Sequence, residues 1–269
     1  MSLFRTKVGL VVAIILLVIF SGGVFVKYKQ NEKVLGESDV VESEIVGLVI
    51  PHHELADELI MSAIESSRKD IGYDRVVIIG PNHYFPNSHF ITTTEKLGDN
   101  SIDSEYVGEL SSTYDFVALN SQMLENEHSV GIPINYMKEA YPNAEFIPLI
   151  VSHHYNEGII EELSDSLGGE LSENTLFVLA VDFAHNVGFV EAMENNDESI
   201  KSISNFDYES ILTYDDRHMD SPLSTILFLK IMERLGANNW KILDSSHGSV
   251  ILGIPDLQGT SYVTGVYTK

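Results

Sequence analysis

The sequence predicts a single α/β domain, in which a central mostly parallel or mixed sheet is flanked by helices, preceded by one N-terminal transmembrane helix. Short apolar runs rich in β-branched residues alternate along the chain with amphipathic segments of helical spacing. Several of the apolar runs stop abruptly at proline, histidine or aspartate. Ligands bind at the carboxyl ends of strands in an open α/β sheet, so these polar ends predict the place of a site.

The N-terminal segment has the pattern of a membrane span. Residues 8–26 carry no charge, and as a helix they would measure about 28 Å, close to the hydrocarbon thickness of a bilayer. Arg5 and Lys7 precede the run, and no small-residue cleavage site follows it. The pattern predicts an uncleaved signal anchor.

The anchor defines the predicted domain boundaries and localisation. We expect a signal anchor at 1–29, a polar linker at 30–43 and the folded domain at 44–269. The predicted localisation is single-pass membrane with the soluble domain extracellular. Cleavage near Gly23 would instead release the domain, and Lys27 and Lys29 also allow a cytoplasmic orientation.

Composition restricts the partners and the chemistry. After residue 29 the chain carries 40 acidic residues against 12 basic ones, a net charge of −28. Such a surface repels nucleic acid and anionic lipid headgroups. The chain has no cysteine, so any metal must be held by histidine and carboxylate groups.

The elements of the domain follow from spacing and end signals. The segment 54–68 places Leu55, Leu59 and Ala63 on one face, which predicts a helix packed on the sheet. The segment 220–235 begins with Asp-Ser-Pro and stops at Gly236, as a capped helix does. Further helices are expected at 130–140 and 156–167, and a loop-rich stretch with one short helix at 97–120. Strands are expected at 46–50, 75–81, 90–94, 145–151, 175–181, 240–243 and 261–267.

Histidines at strand ends are the candidate site. His52 and His83 each follow a buried apolar run and a proline, and imidazole is both a common metal ligand and an acid/base near neutral pH. Alone, either histidine could equally well hydrogen-bond to a neighbouring loop. The pairing of two such strand ends favours a site. The chain lacks HExxH, P-loop, GxGxxG and GxSxG motifs, so zincin, nucleotide-binding and serine-hydrolase sites are not indicated.

Five short motifs in register resemble the MEMO family, whose bacterial and archaeal members are called AmmeMemoRadiSam system protein B. The motifs are Pro51-His52, Gly80-Pro81-Asn82-His83, Glu127-His128-Ser129, Asp182-Phe183-Ala184-His185 and Ser245-Ser246-His247. The resemblance covers 44–269. This family is similar in fold to class III extradiol dioxygenases of the LigB type, which are non-haem Fe(II) enzymes.

The resemblance implies roles for individual residues. His52 and His83 would be metal ligands, and His247 is the nearest candidate for the third. His185 would act as an acid/base or support the site. Glu127, His128 and Asp182 complete the candidate catalytic set.

Three functions remain open at this level. The first is a non-haem metal-dependent oxidoreductase related to extradiol dioxygenases, acting on a small-molecule substrate. The second is a non-catalytic metal-binding or redox-handling protein, and the third is a zinc-dependent hydrolase with His185 or Glu127 as base. Two histidines and a carboxylate suit Fe(II), whereas three imidazoles also suit zinc or copper.

Overall fold

The computed structural model describes residues 44–69, 72–85, 88–171 and 173–269, which contain one eight-stranded mixed sheet. Its strand order is β4-β3-β5-β2-β6-β1-β8-β7. The strands are β1 (Ile45–Ile50), β2 (Arg75–Pro81), β3 (Ile91–Thr93), β4 (Val117–Leu119), β5 (Glu145–Val151), β6 (Thr175–Ala180), β7 (Asn239–His247) and β8 (Ser261–Thr268).

The centre of the sheet is parallel and its flanks are not. Strands β5, β2, β6 and β1 run parallel to one another, while β8 is antiparallel to β1 and β3 is antiparallel to β5. The four central strands are almost entirely buried, as expected of a parallel sheet covered on both faces. Their carboxyl ends therefore meet at one edge, and β6 lies between β1 and β2.

Helices cover both faces of this sheet. Gly47 of β1 faces Phe228 and Met232, whereas Gly80 of β2 faces Ser129, and the strand register places these two glycines on opposite faces. The helices are α1 (Asp57–Ser66), α2 (Ser104–Thr113), α3 (Ser121–Asn126), α4 (His128–Ala140), α5 (Glu157–Glu170), α6 (Phe189–Ser204), α7 (Tyr208–Ile211), α8 (Pro222–Arg234) and α9 (Gly248–Ile251).

The predicted α/β domain with a mixed sheet is confirmed, but one long helix was missed. Helix α6 buries Ala192, Asn196, Ser199 and Ile203 at helical spacing. Because two of these four are polar, the stripe carries little hydrophobic signal in the sequence. The side chains of Asn196 and Ser261 meet under this helix, where the Ser261 hydroxyl donates to Asn196 Oδ1 at 2.8 Å.

The predicted membrane localisation is corrected. Across the part of the chain that the structure describes, none of the helices combines the length and the apolar character that crossing a bilayer requires. The run 8–26, together with the predicted boundaries at 1–29 and 30–43, lies outside the described residues.

Candidate metal centre

Three adjacent strand ends supply the base of the site. His52 follows β1, His83 follows β2, and Asp182 follows β6 between them. The backbone N–H of His52 donates to Asp182 Oδ1 at 3.1 Å. This bond holds the segment after β1 against the end of β6.

The turn after β2 is fixed by the buried Asn82. Its side-chain amide donates to Phe85 O at 2.8 Å and to Ser88 Oγ at 2.7 Å, while its Oδ1 accepts the Phe85 N–H at 2.9 Å. The Asn82 carbonyl also accepts a hydrogen bond from His153 Nε2 at 2.8 Å. The Gly-Pro-Asn-His motif therefore forms a hydrogen-bonded turn that presents His83.

The first turn of α4 is seated directly on β2. Ser129 Oγ donates to Pro81 O at 2.7 Å. A Cβ at Gly80 would lie only 2.8 Å from this Ser129 Oγ. Glycine at position 80 is thus required for the close approach of the helix. The approach brings Glu127 and His128 to the strand ends.

Three histidines meet at this edge and could hold a metal ion. One ring nitrogen from each of His52, His83 and His128 lies within 4.8 Å of the others. The ring of His52 is 5.1 Å from each of the other two, and the rings of His83 and His128 stack at 4.3 Å. His52 is buried, whereas the His83 side chain is 24% exposed, so one side of the cluster is open to solvent.

Asp220 adds a buried carboxylate that the sequence reasoning missed. Its Oδ2 lies 3.1 Å from His52 Nε2 and 3.5 Å from His83 Nε2, and its N–H donates to the Asp182 carbonyl at 3.1 Å. Neither carboxylate oxygen has a well-aligned hydrogen bond within the described residues. The Asp-Ser-Pro sequence pointed to a helix cap, but Ser221 is the cap of α8, and this leaves Asp220 for the site.

The hydrogen bond between His52 and the Ala180 carbonyl determines which ring nitrogen of His52 carries the proton. Its Nδ1 lies 3.3 Å from the Ala180 carbonyl oxygen, which can only accept, so Nδ1 carries the proton of the neutral ring. Nε2 then keeps its lone pair and points at the Asp220 carboxylate. A metal ligand needs this arrangement.

The cluster has strongly shifted pKa values in the absence of a bound cation. Burial lowers the pKa of His52, but Asp182 and Asp220 outweigh burial and raise it to about 9. Burial likewise lowers the pKa of His83, and its contacts with the carboxylates of Asp220 and Glu127 raise it to about 9. Burial and the two neighbouring histidines lower the pKa of His128 to about 4.

The two central carboxylates differ in their pKa values. Burial raises the pKa of Asp182, and His52 only partly opposes the effect. Burial also favours the protonated form of Asp220, but His52 and His83 outweigh it, and the net pKa is lowered. Asp220 is therefore the carboxylate that is ionised and that attracts protonated His52 and His83. A bound cation would compete with the ring protons of these histidines for Asp220.

His185 lies at the same edge of the sheet. It follows β6 by way of Asp182, and its backbone N–H donates to Asp216 O at 2.7 Å. Its Nδ1 is buried and has no hydrogen-bond partner within the described residues. The His185 ring acts to lower the pKa of both Asp182 and Asp220, although burial keeps the net pKa of Asp182 raised.

His247, the residue expected to be the third ligand, is used elsewhere. Its Nδ1 accepts the Ser249 N–H at 3.1 Å, so its Nε2 carries the proton and donates to Val187 O at 3.2 Å. Both nitrogens are thereby occupied in capping α9 and joining it to the chain after His185. Strand β7 is also separated from β1 by β8, roughly 9.5 Å away across the sheet. The structure gives His128 in place of His247 as the third histidine of the group.

Comparison with known proteins gives a family and a fold. A family model described as Memo-like protein matches residues 27–266. Relatives named MEMO1 family protein include one from Aquifex aeolicus, 27% identical over 217 residues, which covers 74% of this chain and 58% of the relative. One from Methanopyrus kandleri is 24% identical over 230 residues, covering 78% of this chain and 80% of the relative.

A solved structure shows the same fold. The uncharacterized protein JW3007 from Escherichia coli K12 aligns with a TM-score of 0.52 and 13% identity, covering 82% of this chain and 99% of that one. The chain spans only 58% of the length of the Aquifex relative. These matches do not bear on the predicted similarity to LigB-type dioxygenases, which stays a prediction.

Proposed function

Because the chain belongs to the Memo-like protein family, we propose that it holds one transition-metal ion at His52, His83 and Asp220 and acts as a metal-dependent oxidoreductase on a small molecule. His128 lines the same centre. The proposal concerns this chain's own residues, since the family name by itself specifies no reaction.

The convergence on Asp220 carries the proposal. Two imidazole nitrogens from separate strands approach one carboxylate oxygen to 3.1 and 3.5 Å, in a buried place without Lys or Arg among the close contacts described. A buried carboxylate without well-aligned hydrogen bonds is costly unless a cation compensates it. A metal ion would compensate this charge in place of the protons on His52 and His83, and it would use the lone pair on His52 Nε2.

The ligand set favours iron while leaving zinc and copper as alternatives. Two histidines and one carboxylate form the set that binds non-haem Fe(II) and keeps positions open for substrate and oxygen. With His247 as the third ligand the set would have been three imidazoles, which also suit zinc and copper. Replacing His247 by Asp220 in the set therefore favours iron over these two metals. His128, as a third imidazole beside the carboxylate, keeps zinc and copper in consideration.

The surrounding residues have separate roles in this proposal. A bound Fe(II) would supply a redox-active Lewis acid with open positions. Asp182 holds the backbone of His52 and of Asp220, and so fixes two ligands at once. In this proposal His185, whose buried Nδ1 has no hydrogen-bond partner within the described residues, would exchange a proton with a substrate bound beside the metal.

Metal content tests the centre. We expect wild-type protein purified without a chelating tag to carry about one equivalent of metal, and His83→Ala and Asp220→Asn to lose most of it. His89→Ala replaces an exposed histidine and is the matched control. Equal metal content in all four proteins would refute the proposal.

Metal identity and oxygen uptake separate the functions. Iron with oxygen consumption on added catechols supports the oxidoreductase. Tightly held zinc without a redox response supports the hydrolase, for which the third imidazole of His128 is the favourable observation. Metal binding with neither activity supports a non-catalytic metal-handling protein.

A further inference from the structure

Glu127 is fully buried beside the centre, and its hydrogen bonds leave it little freedom. Its Oε2 accepts the backbone N–H of His83 at 2.8 Å, and its Oε1 lies 2.8 Å from His83 Nδ1. Oε1 also accepts the N–H of Ser129 at 3.1 Å, and the side chain is fully buried. Both oxygens thus face N–H groups of the protein.

We infer that Glu127 is a positioning residue that keeps the ring proton of His83 on Nδ1 and presents the Nε2 lone pair to the metal. The functional consequence rests on the proposed metal centre, but the proton placement is a property of the chain alone. The sequence predicted Glu127 as a candidate base, and as a positioning residue it would act through His83 instead.

The argument depends on what a carboxylate can do. An ionised carboxylate only accepts hydrogen bonds, so the nitrogen 2.8 Å from it must be the one that carries the proton. His83 Nε2, at 3.5 Å from Asp220 Oδ2, is then the nitrogen that can bind a cation. Carboxylate–histidine–metal arrangements of this kind orient the ring and raise its basicity.

The same carboxylate also caps a helix. Glu127 is the N-cap of α4, where an anion is favoured by the unpaired N–H groups and by the positive end of the helix dipole. A purely structural cap and a positioning residue therefore predict the same loss of stability on truncation. The two roles differ in whether His83 is affected when the cap is kept.

Two variants separate the roles. Glu127→Ser keeps a good N-cap but cannot reach His83 Nδ1. Glu127→Gln keeps the size, but one of the two carboxylate oxygens is replaced by an NH₂ group, which is a donor. If the NH₂ takes the place of Oε2, it faces the backbone N–H of His83. If it takes the place of Oε1, it faces His83 Nδ1, and the ring proton would move to Nε2. Glu125→Gln makes the same chemical change at an exposed position two residues earlier and serves as the control.

Zinc titration and histidine ¹⁵N NMR are the two measurements. With zinc as the probe, we expect Kd to rise about 10- to 100-fold in both Glu127 variants and to stay unchanged in Glu125→Gln. In metal-free protein, at an alkaline pH where the ¹⁵N shifts show that the His83 ring is neutral, wild type should show the proton on Nδ1. Glu127→Gln should show a mixture of the two tautomers.

The outcomes distinguish this inference from the metal proposal. Zinc affinity within about threefold of wild type in Glu127→Ser, or a wild-type His83 with its proton on Nε2, would overturn the role of Glu127. A wild-type protein that binds no zinc would refute the metal centre, and the NMR result would still decide where the proton lies.

Discussion

Replacing Gly80 by alanine tests whether the seat of α4 on β2 builds the site. A Cβ at this position would lie 2.8 Å from Ser129 Oγ and 3.0 Å from both Ser129 Cβ and Ser129 O. The Oγ is held by its bond to Pro81 O, and the backbone oxygen cannot rotate away. The start of α4 must therefore move by roughly 0.5 Å to restore ordinary contact distances.

The expected cost follows from these contacts. Overpacking of a tight site costs about 1–3 kcal/mol, and a weakened Ser129–Pro81 bond about 0.5–1.5 kcal/mol. Alanine recovers about 0.5–1 kcal/mol, since it loses less backbone entropy than glycine on folding. We expect Gly80→Ala to lower the free energy of unfolding by about 0.5–4 kcal/mol, with a central value of about 2 kcal/mol. Because Glu127 and His128 move with the helix, zinc affinity should fall about tenfold or more.

Urea unfolding and zinc titration measure the two effects. Gly131→Ala, in the same helix, is the matched control, because nothing lies within 4 Å of its added Cβ. It should raise stability by about 0.5–1 kcal/mol through helix propensity and leave zinc binding unchanged. If Gly80→Ala unfolds within about 0.5 kcal/mol of wild type and binds zinc equally well, then the close approach is not what positions the site.

Two further predictions concern residues outside the metal set. His247→Ala should lower the free energy of unfolding by about 1–3 kcal/mol, because it removes the α9 cap and the bond to Val187 O. The metal content of this variant should remain that of wild type. Loss of the metal would show that His247 is a ligand. Tyr267 donates to Ile203 O at 2.7 Å, and its burial raises the pKa of the phenol. Its unfolded form loses a proton near pH 10 while the folded form keeps it, so stability is fully present below about pH 10 and is lost as pH rises further. Urea unfolding between about pH 8 and 11 measures this alkaline loss of stability, which should be shallower in Tyr267→Phe than in Tyr155→Phe. Tyr155 is the control because its ring is half exposed. Equal slopes in the two variants would contradict a raised pKa for Tyr267.

The sequence by itself determined the central strands and part of the site. The central strands were predictable because each is a buried apolar run, and a buried run that stops at Pro-His or Asp marks its own end. His52 and His83 were found in this way. The motif containing Glu127 and His128 was found by resemblance, although their roles were not.

The tertiary structure decided which polar residues meet. The sequence predicted His247 as a ligand and did not predict Asp220, although each stands next to the end or start of an apolar element. The sheet order separates them, because β8 lies between β7 and β1, whereas the bond from Asp220 N–H to Asp182 O brings Asp220 to the ends of β6 and β1. Strand order and the closeness of α4 to Gly80 arise from contacts between segments that are distant along the chain. Local hydrophobic periodicity reports only neighbouring positions, so it cannot predict such contacts.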